Sequence, residues 1–161
     1  MLSKSLVKIF FIVIIVSGCT TNPIPKDYKG PIAEIKDSFV VKSDSMAEFY
    51  YVTKINGNKI ENSVIETLRA NSGRGFQMDP VSIFRKVPAK ELLVTIEAQT
   101  LYAAPILSLT NKTYKVSGDI VFTPKKNKYY IVKGVLGGDE SAVWIEDKDT
   151  GEVVSERVVS K

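Results

Sequence analysis

The chain has 161 residues, 44% of them hydrophobic and 25% charged, which is enough for one domain with its own apolar core. It contains no histidine and a single cysteine. Those two counts exclude Ser-His-Asp and Cys-His catalysis, an internal disulfide, and zinc sites built from His and Cys. The formal charge of +4 is modest.

The first 18 residues place Lys4 and Lys8 near the start and an apolar run, Ile9 to Val16, behind them. That order is a secretory signal peptide. A spanning helix needs about 20 mostly apolar residues, and the run from Leu6 to Val16 is shorter and interrupted by Lys8. Val16-Ser17-Gly18-Cys19 ends the segment. These four residues resemble a bacterial lipobox, a hydrophobic residue and two small ones before a cysteine. The resemblance implies cleavage before Cys19, a diacylglycerol on its thiol, and a fatty acyl group such as palmitate on the new amino terminus. Several acyl chains give stable anchoring where one does not. Thr20 stands where an aspartate would resemble an inner-membrane retention signal. The implied address is thus the cell envelope, at the outer membrane facing the periplasm in a Gram-negative host.

Without residues 1–18, 20 basic and 18 acidic residues remain, a charge of +2 that gives no support for nucleic-acid binding. Residues 19–31 contain three prolines and a glycine and read as a flexible tether holding the domain off the bilayer. Residues 32–161 read as one domain.

Within it, 46–55 places Ala47, Phe49, Tyr51 and Ile55 on one face of a strand and Glu48 and Lys54 on the other. Asn56-Gly57 then signals a tight turn. A short helix follows, capped by Asn62 or Ser63, with capping-box spacing from Ser63 to Glu66. Val64, Ile65 and Leu68 are its expected buried face, and Asn71-Ser72-Gly73 its stop. Residues 91–98 and 113–122 alternate apolar and polar types, and 128–136, 141–146 and 152–159 complete a C-terminal meander. The reading is a mainly β, antiparallel β-sandwich of immunoglobulin or transthyretin-like kind with one short α-helix. Trp144 belongs in its core or at the core's edge.

A second likeness rests on Ala103-Ala104-Pro105-Ile106, Val116-Ser117-Gly118, Phe122-Thr123-Pro124, Tyr130-x-Val132-x-Gly134 and Ser141 to Asp147. These stretches resemble a group of small bacterial envelope lipoproteins without an assigned activity, so no functional residues are carried over.

The candidate chemistry is sparse. Asp147-Lys148-Asp149-Thr150-Gly151-Glu152 invites comparison with a calcium loop, but glycine and glutamate fall at the wrong positions, and a hairpin turn accounts for it. No metal or cofactor is expected. Asn71 to Gly75 lacks the Lys-Ser/Thr end of a phosphate loop. Glu91, Glu97, Asp119, Asp139, Glu140 and Glu146 could supply a glycosidase-like pair, which must lie about 5 to 9.5 Å apart. Lys125, Lys126 and Lys128 mark a basic hairpin tip, with Arg85, Lys86 and Lys90 elsewhere. Tyr50, Tyr129 and Tyr130 are candidates for an exposed aromatic patch that would bind a protein or glycan partner. The expected function is a lipid-anchored, non-enzymatic structural or interaction module. An accessory lipoprotein of a multi-protein envelope or secretion complex, and a carboxylate-dependent hydrolase, are the alternatives.

Overall fold

The computed structural model describes residues 20–138 and 140–160. Residues 1–19, Asp139 and Lys161 lie outside the described residues, and with them the expected leader and Cys19. In chain order the elements are β1 (Ile32–Lys36), β2 (Ser38–Ser43), β3 (Met46–Ile55), β4 (Asn58–Lys59) and α1 (Ser63–Ala70). There follow β5 (Phe84–Pro88), β6 (Leu92–Tyr102), α2 (Pro105–Thr110), β7 (Lys115–Phe122), β8 (Tyr129–Val135), β9 (Ala142–Asp147) and β10 (Val158–Val159). They form two packed sheets. Sheet I has the order β10-β9-β8-β1-β5; sheet II has the order β2-β3-β6-β7, with β4 on β3.

The fold is therefore a mainly β, two-sheet sandwich, as the alternation implies. Three details differ from the sequence reading. β1 pairs with β8 in parallel, Glu34 opposite Tyr129 and Lys36 opposite Ile131. Between β1 and β8 the chain builds the whole of sheet II and adds β5 to the edge of sheet I, then returns as β8 running the same way as β1, the long crossover that parallel pairing requires. A second helix, α2, opens at Pro105, whose fixed φ suits the first helical position. Residues 152–159 do not form one strand. Val153 makes a lone bridge to Glu146 and only Val158 and Val159 pair fully. Between them the Ser155 hydroxyl accepts from Ile145 N–H at 2.8 Å, taking a donor that a continuous strand would have used.

The main core lies between the sheets. Sheet I supplies Ile35, Val87, Val132, Val143 and Ile145; sheet II supplies Val52, Val94, Ile96 and Ile120. Each such side chain stabilises the fold by about 1.5–3 kcal/mol relative to an exposed one. The Phe122 and Tyr130 rings meet edge to face at 5.0 Å. Tyr50 crosses from sheet II onto Gly134, where a Cβ would collide with the Tyr50 ring and the Ala142 carbonyl.

Residues 47–52 of β3 are all buried, because α1 covers the outside of sheet II. Ala47, Phe49 and Tyr51 belong to this second cluster with Val64 and Met78, while Tyr50 and Val52 face the sandwich core. Ala47, Phe49 and Tyr51 are thus buried together as the alternation implies, but against α1, and the opposite face of the strand is buried as well. Ile55 joins the Val52 side through an irregularity between Val52 and Lys54. Asn56 and Gly57, at φ 50° and 78°, make the expected tight turn into β4.

α1 is capped by Asn62, whose Oδ1 accepts from Val64 N–H and Ile65 N–H at 3.1 Å each. The Ser63 hydroxyl is engaged elsewhere, so the Ser63–Glu66 capping box does not form. The buried face is Ser63, Val64 and Thr67, whereas Ile65 and Leu68 are exposed. Asn71 stops the helix, its Nδ2 donating to the Thr67 and Asp79 carbonyls.

Asp37 is the single residue between β1 and β2, where the chain passes from sheet I to sheet II. It is fully buried. Its Oδ1 accepts from Val52 N–H at 3.1 Å and Arg85 Nη1 at 2.7 Å. Its Oδ2 accepts from Ser63 N–H at 2.9 Å, the Ser63 hydroxyl at 3.1 Å and Arg85 Nη2 at 2.6 Å. Arg85, read from the sequence as surface charge, is 8% exposed and forms the other half of this pair.

Breaking a buried ion pair on one side costs about 3–5 kcal/mol. Asp37→Ala strands Val52 N–H, Ser63 N–H and the guanidinium together, whereas Arg85→Met leaves the carboxylate with three donors. Denaturant unfolding should therefore place Asp37→Ala below Arg85→Met, and an equal or reversed order would refute this account. Asn62→Ala should cost about 1 kcal/mol, and Glu66→Ala less than about 0.5 kcal/mol, measured the same way.

Candidate functional site

The outsides of the two sheets differ. On sheet II, α1 and Met78 cover the middle of β3. On sheet I the strands alternate, and one set of side chains faces outward without a covering layer. These are Phe84 and Lys86 on β5, Glu34 and Lys36 on β1, Tyr129, Ile131 and Lys133 on β8, and Trp144 and Glu146 on β9. The register sets them in rows, with Phe84 beside Lys36, Glu34 beside Tyr129, and Lys133 beside Trp144. Phe84 is 67% and Tyr129 48% exposed.

Trp144 lies on this face rather than in the core. Its indole N–H donates to Glu146 at 2.7 Å, and the Arg157 guanidinium sits 4.3 Å from the ring centroid. Phe84, Lys36, Glu34, Tyr129 and Lys148 line a hollow of about 230 Å³. Lys36, Lys86, Lys133, Lys148 and Arg157 stand against Glu34 and Glu146, giving this face a surplus of positive charge.

A second opening, about 590 Å³, adjoins it at the β5 edge and is lined by residues 20–23, Glu61, Glu66, Ile83, Phe84 and Arg85. The expected tether carries no helix or strand, yet it is not free of the domain. Thr21 N–H and its hydroxyl donate to the Lys59 carbonyl at 2.9 and 3.3 Å. The Tyr28 hydroxyl donates to the Pro31 carbonyl at 2.8 Å, and Ala89 N–H donates to the same oxygen at 2.7 Å. At the mouth of this groove a hydrogen bond from Glu66, together with Arg69, holds the Glu61 carboxyl below its ordinary range, while the same bond with Glu61 pushes Glu66 up.

The remaining sequence candidates are dispersed. Tyr50 and Tyr130 are 3% and 4% exposed, so the aromatic patch with Tyr129 does not form. The Tyr130 hydroxyl instead accepts from Lys125 N–H at 2.9 Å and holds the β7–β8 loop. Lys125 and Lys126 are exposed in that loop. Lys128 pairs with Asp147 at 3.2 Å, and that contact pushes its pKa up. Burial opposes ionisation of Asp147, but Asp149 N–H, the Lys128 ammonium and Thr150 N–H hold its carboxyl below the usual range. The 147–152 segment is a hairpin turn, with Gly151 at φ 73° and Asp147 Oδ1 accepting from residues 149 and 150.

Of the carboxylates, Glu97 binds the Tyr51 hydroxyl and Lys115, Asp119 accepts from Thr95, and Glu146 from Trp144. Glu91 and Glu140 are exposed, and Asp139 lies outside the described residues. No cluster of three or more His, Cys, Asp or Glu that could hold a metal occurs among the described residues. No helix among them is long and apolar enough to cross a membrane.

Sequence reasoning missed Phe84, Lys36 and Trp144 as one surface. The available signal was the alternation Phe84-Arg85-Lys86-Val87, but its phase is inverted. The cation Arg85 points inward to Asp37 and the ring of Phe84 points out.

Compared with models of protein families, with curated proteins and with solved structures, the chain matches none.

Burial, followed by the Glu97 hydrogen bond, pushes the Tyr51 pKa far above its ordinary value of 10.0; burial and Glu48 do the same to Tyr50. Unfolded tyrosine ionises near pH 10, so above that pH the unfolded state binds fewer protons than the folded one. Stability from each tyrosine is then complete below about pH 10 and falls by about 1.4 kcal/mol per pH unit above it. Tyr51→Phe, less stable at neutral pH, should lose stability less steeply by that amount between about pH 10.5 and 12. Parallel slopes in urea titrations would mean that Tyr51 ionises inside the fold.

Proposed function

We propose that this chain is a lipid-anchored cell-envelope module that acts by interaction rather than catalysis. Acyl groups on Cys19 hold it to the membrane, and confinement there raises its effective concentration at partners in the same compartment. In a host with two membranes, the lipobox and Thr20 assign it to the outer membrane, facing the periplasm.

The observation that carries the reading is the uncovered face of sheet I. A domain spanning residues 32–161 has enough apolar material to build a closed core, yet here Phe84, Tyr129 and Trp144 are left on one side among five cations. Rings and cations gathered on one face mark an interaction surface. The engagement of Glu97, Asp119 and Glu146 with tyrosine, threonine and tryptophan donors also favours a non-catalytic role.

Metabolic labelling with palmitate should mark the wild type. Cys19→Ala should accumulate as an unlabelled precursor that retains residues 1–18, seen by mass spectrometry and gel mobility. An unlabelled wild type together with ordinary processing of Cys19→Ala would sink the anchor.

A further inference from the structure

The docking of residues 20–23 against the domain bears on how the domain sits. Thr20 and Thr21 lie in the groove at the β5 edge, with Thr21 fastened to the Lys59 carbonyl. Cys19 directly precedes Thr20 in the chain, and consecutive Cα atoms are about 3.8 Å apart. An acyl chain on Cys19 therefore departs within about one residue of that groove. Phe84 lines both this groove and the hollow holding Lys36 and Tyr129, so the exit point and the uncovered face of sheet I are continuous.

The composition of that face identifies what it suits. Tyrosine and tryptophan settle at the headgroup level of a bilayer, and lysine and arginine lay their apolar stems beneath while the charge meets phosphate. Here five cations oppose two carboxylates, a surplus of three, whereas residues 19–161 as a whole carry +2. The outer face of sheet I thus carries more positive than negative charge, while the groove at the exit point beside it is lined by Glu61 and Glu66. Each cation near an anionic surface strengthens attraction about fivefold, so a surplus of three gives about a hundredfold. That is weak for a free protein, but an anchored domain meets its own membrane at an effective concentration in the millimolar range.

We infer that the outer face of sheet I lies on anionic phospholipid headgroups of the membrane in which Cys19 is anchored. The inference rests on the lipid-anchor reading. It fixes the orientation of the domain, with sheet I down and α1 and the outside of sheet II turned towards the compartment.

The protein carries its own reporter, since Trp144 is the sole tryptophan and stands on this face. Native acylated protein, its N-terminal peptide weighed by mass spectrometry, is reconstituted in phosphatidylcholine vesicles with and without phosphatidylglycerol. With phosphatidylglycerol, Trp144 emission should shift to shorter wavelength and iodide quenching should fall several-fold. High salt should reverse both effects. The exposed-side double variant Lys36→Glu/Lys133→Glu, checked for an unchanged melting temperature, should show neither. Identical emission and quenching in the two vesicle types, with the acyl mass present, would overturn the orientation and leave the anchor standing. A missing acyl mass would instead remove the anchor reading itself. Equal protection of Trp144 by soluble peptidoglycan fragments in pure phosphatidylcholine vesicles would also overturn the orientation and assign the face to a glycan.

Discussion

A carboxylate at the corner between the sheets organises this fold. Asp37 occupies the one position where the chain crosses from β1 to β2, and it is sealed from water. A lone charge there would be strongly unfavourable, so its five donors are a condition of its burial. Those donors come from β3, from the first turn of α1 and from β5. One side chain thereby positions a strand of each sheet and the helix between them. The Ser63 hydroxyl extends the network, accepting from Ile83 N–H at 2.9 Å and setting the approach to β5. The bidentate geometry of Arg85 adds direction as well as energy, which a lysine there would not supply.

The position of α1 follows, and with it the difference between the two outer surfaces. Held by Asp37 at its start and capped by Asn62, the helix covers Phe49 and Tyr51 and turns β3 into a strand buried on both sides. Sheet I has no such cover. Its edge at β5 carries Phe84 outward because Arg85 must face inward to reach Asp37, and in a strand neighbouring side chains take opposite faces. The exposed ring beside the groove is in this sense a consequence of the buried ion pair. The open side of the sandwich at the other edge is closed more simply, by Val158 of β10 packing on Gly118 of β7.

These two levels join in the functional reading. The residues that stabilise the sandwich also determine which face stays open and where the N-terminal segment docks. Among the described residues, the polar groups that looked chemically versatile in the sequence, such as Glu97, Tyr130 and Asp147, are held in fixed hydrogen bonds. On the outer face of sheet I the groups left available are rings and cations, which suit adhesion to a surface.

Period-two alternation, Asn56-Gly57 and the capping residues before α1 act over a few residues, so the sequence alone determined the mainly β class, β3, the cores of β6 to β9, and a short helix. The leader pattern and Cys19 rest on equally local residues, which lie outside the described ones. What tertiary structure decided was every choice between equivalent faces. Six consecutive buried residues in β3 offer no alternation that says which side meets the other sheet. Trp144 and Phe84 are apolar, and a local pattern sends such rings inward, but the inward positions beside them are taken by Val143, Ile145 and Arg85. Arg85 is held there by a partner 48 residues away. Pairing over that distance, like the parallel contact of β1 with β8, depends on where the chain has already been, and a short window of sequence does not contain that information.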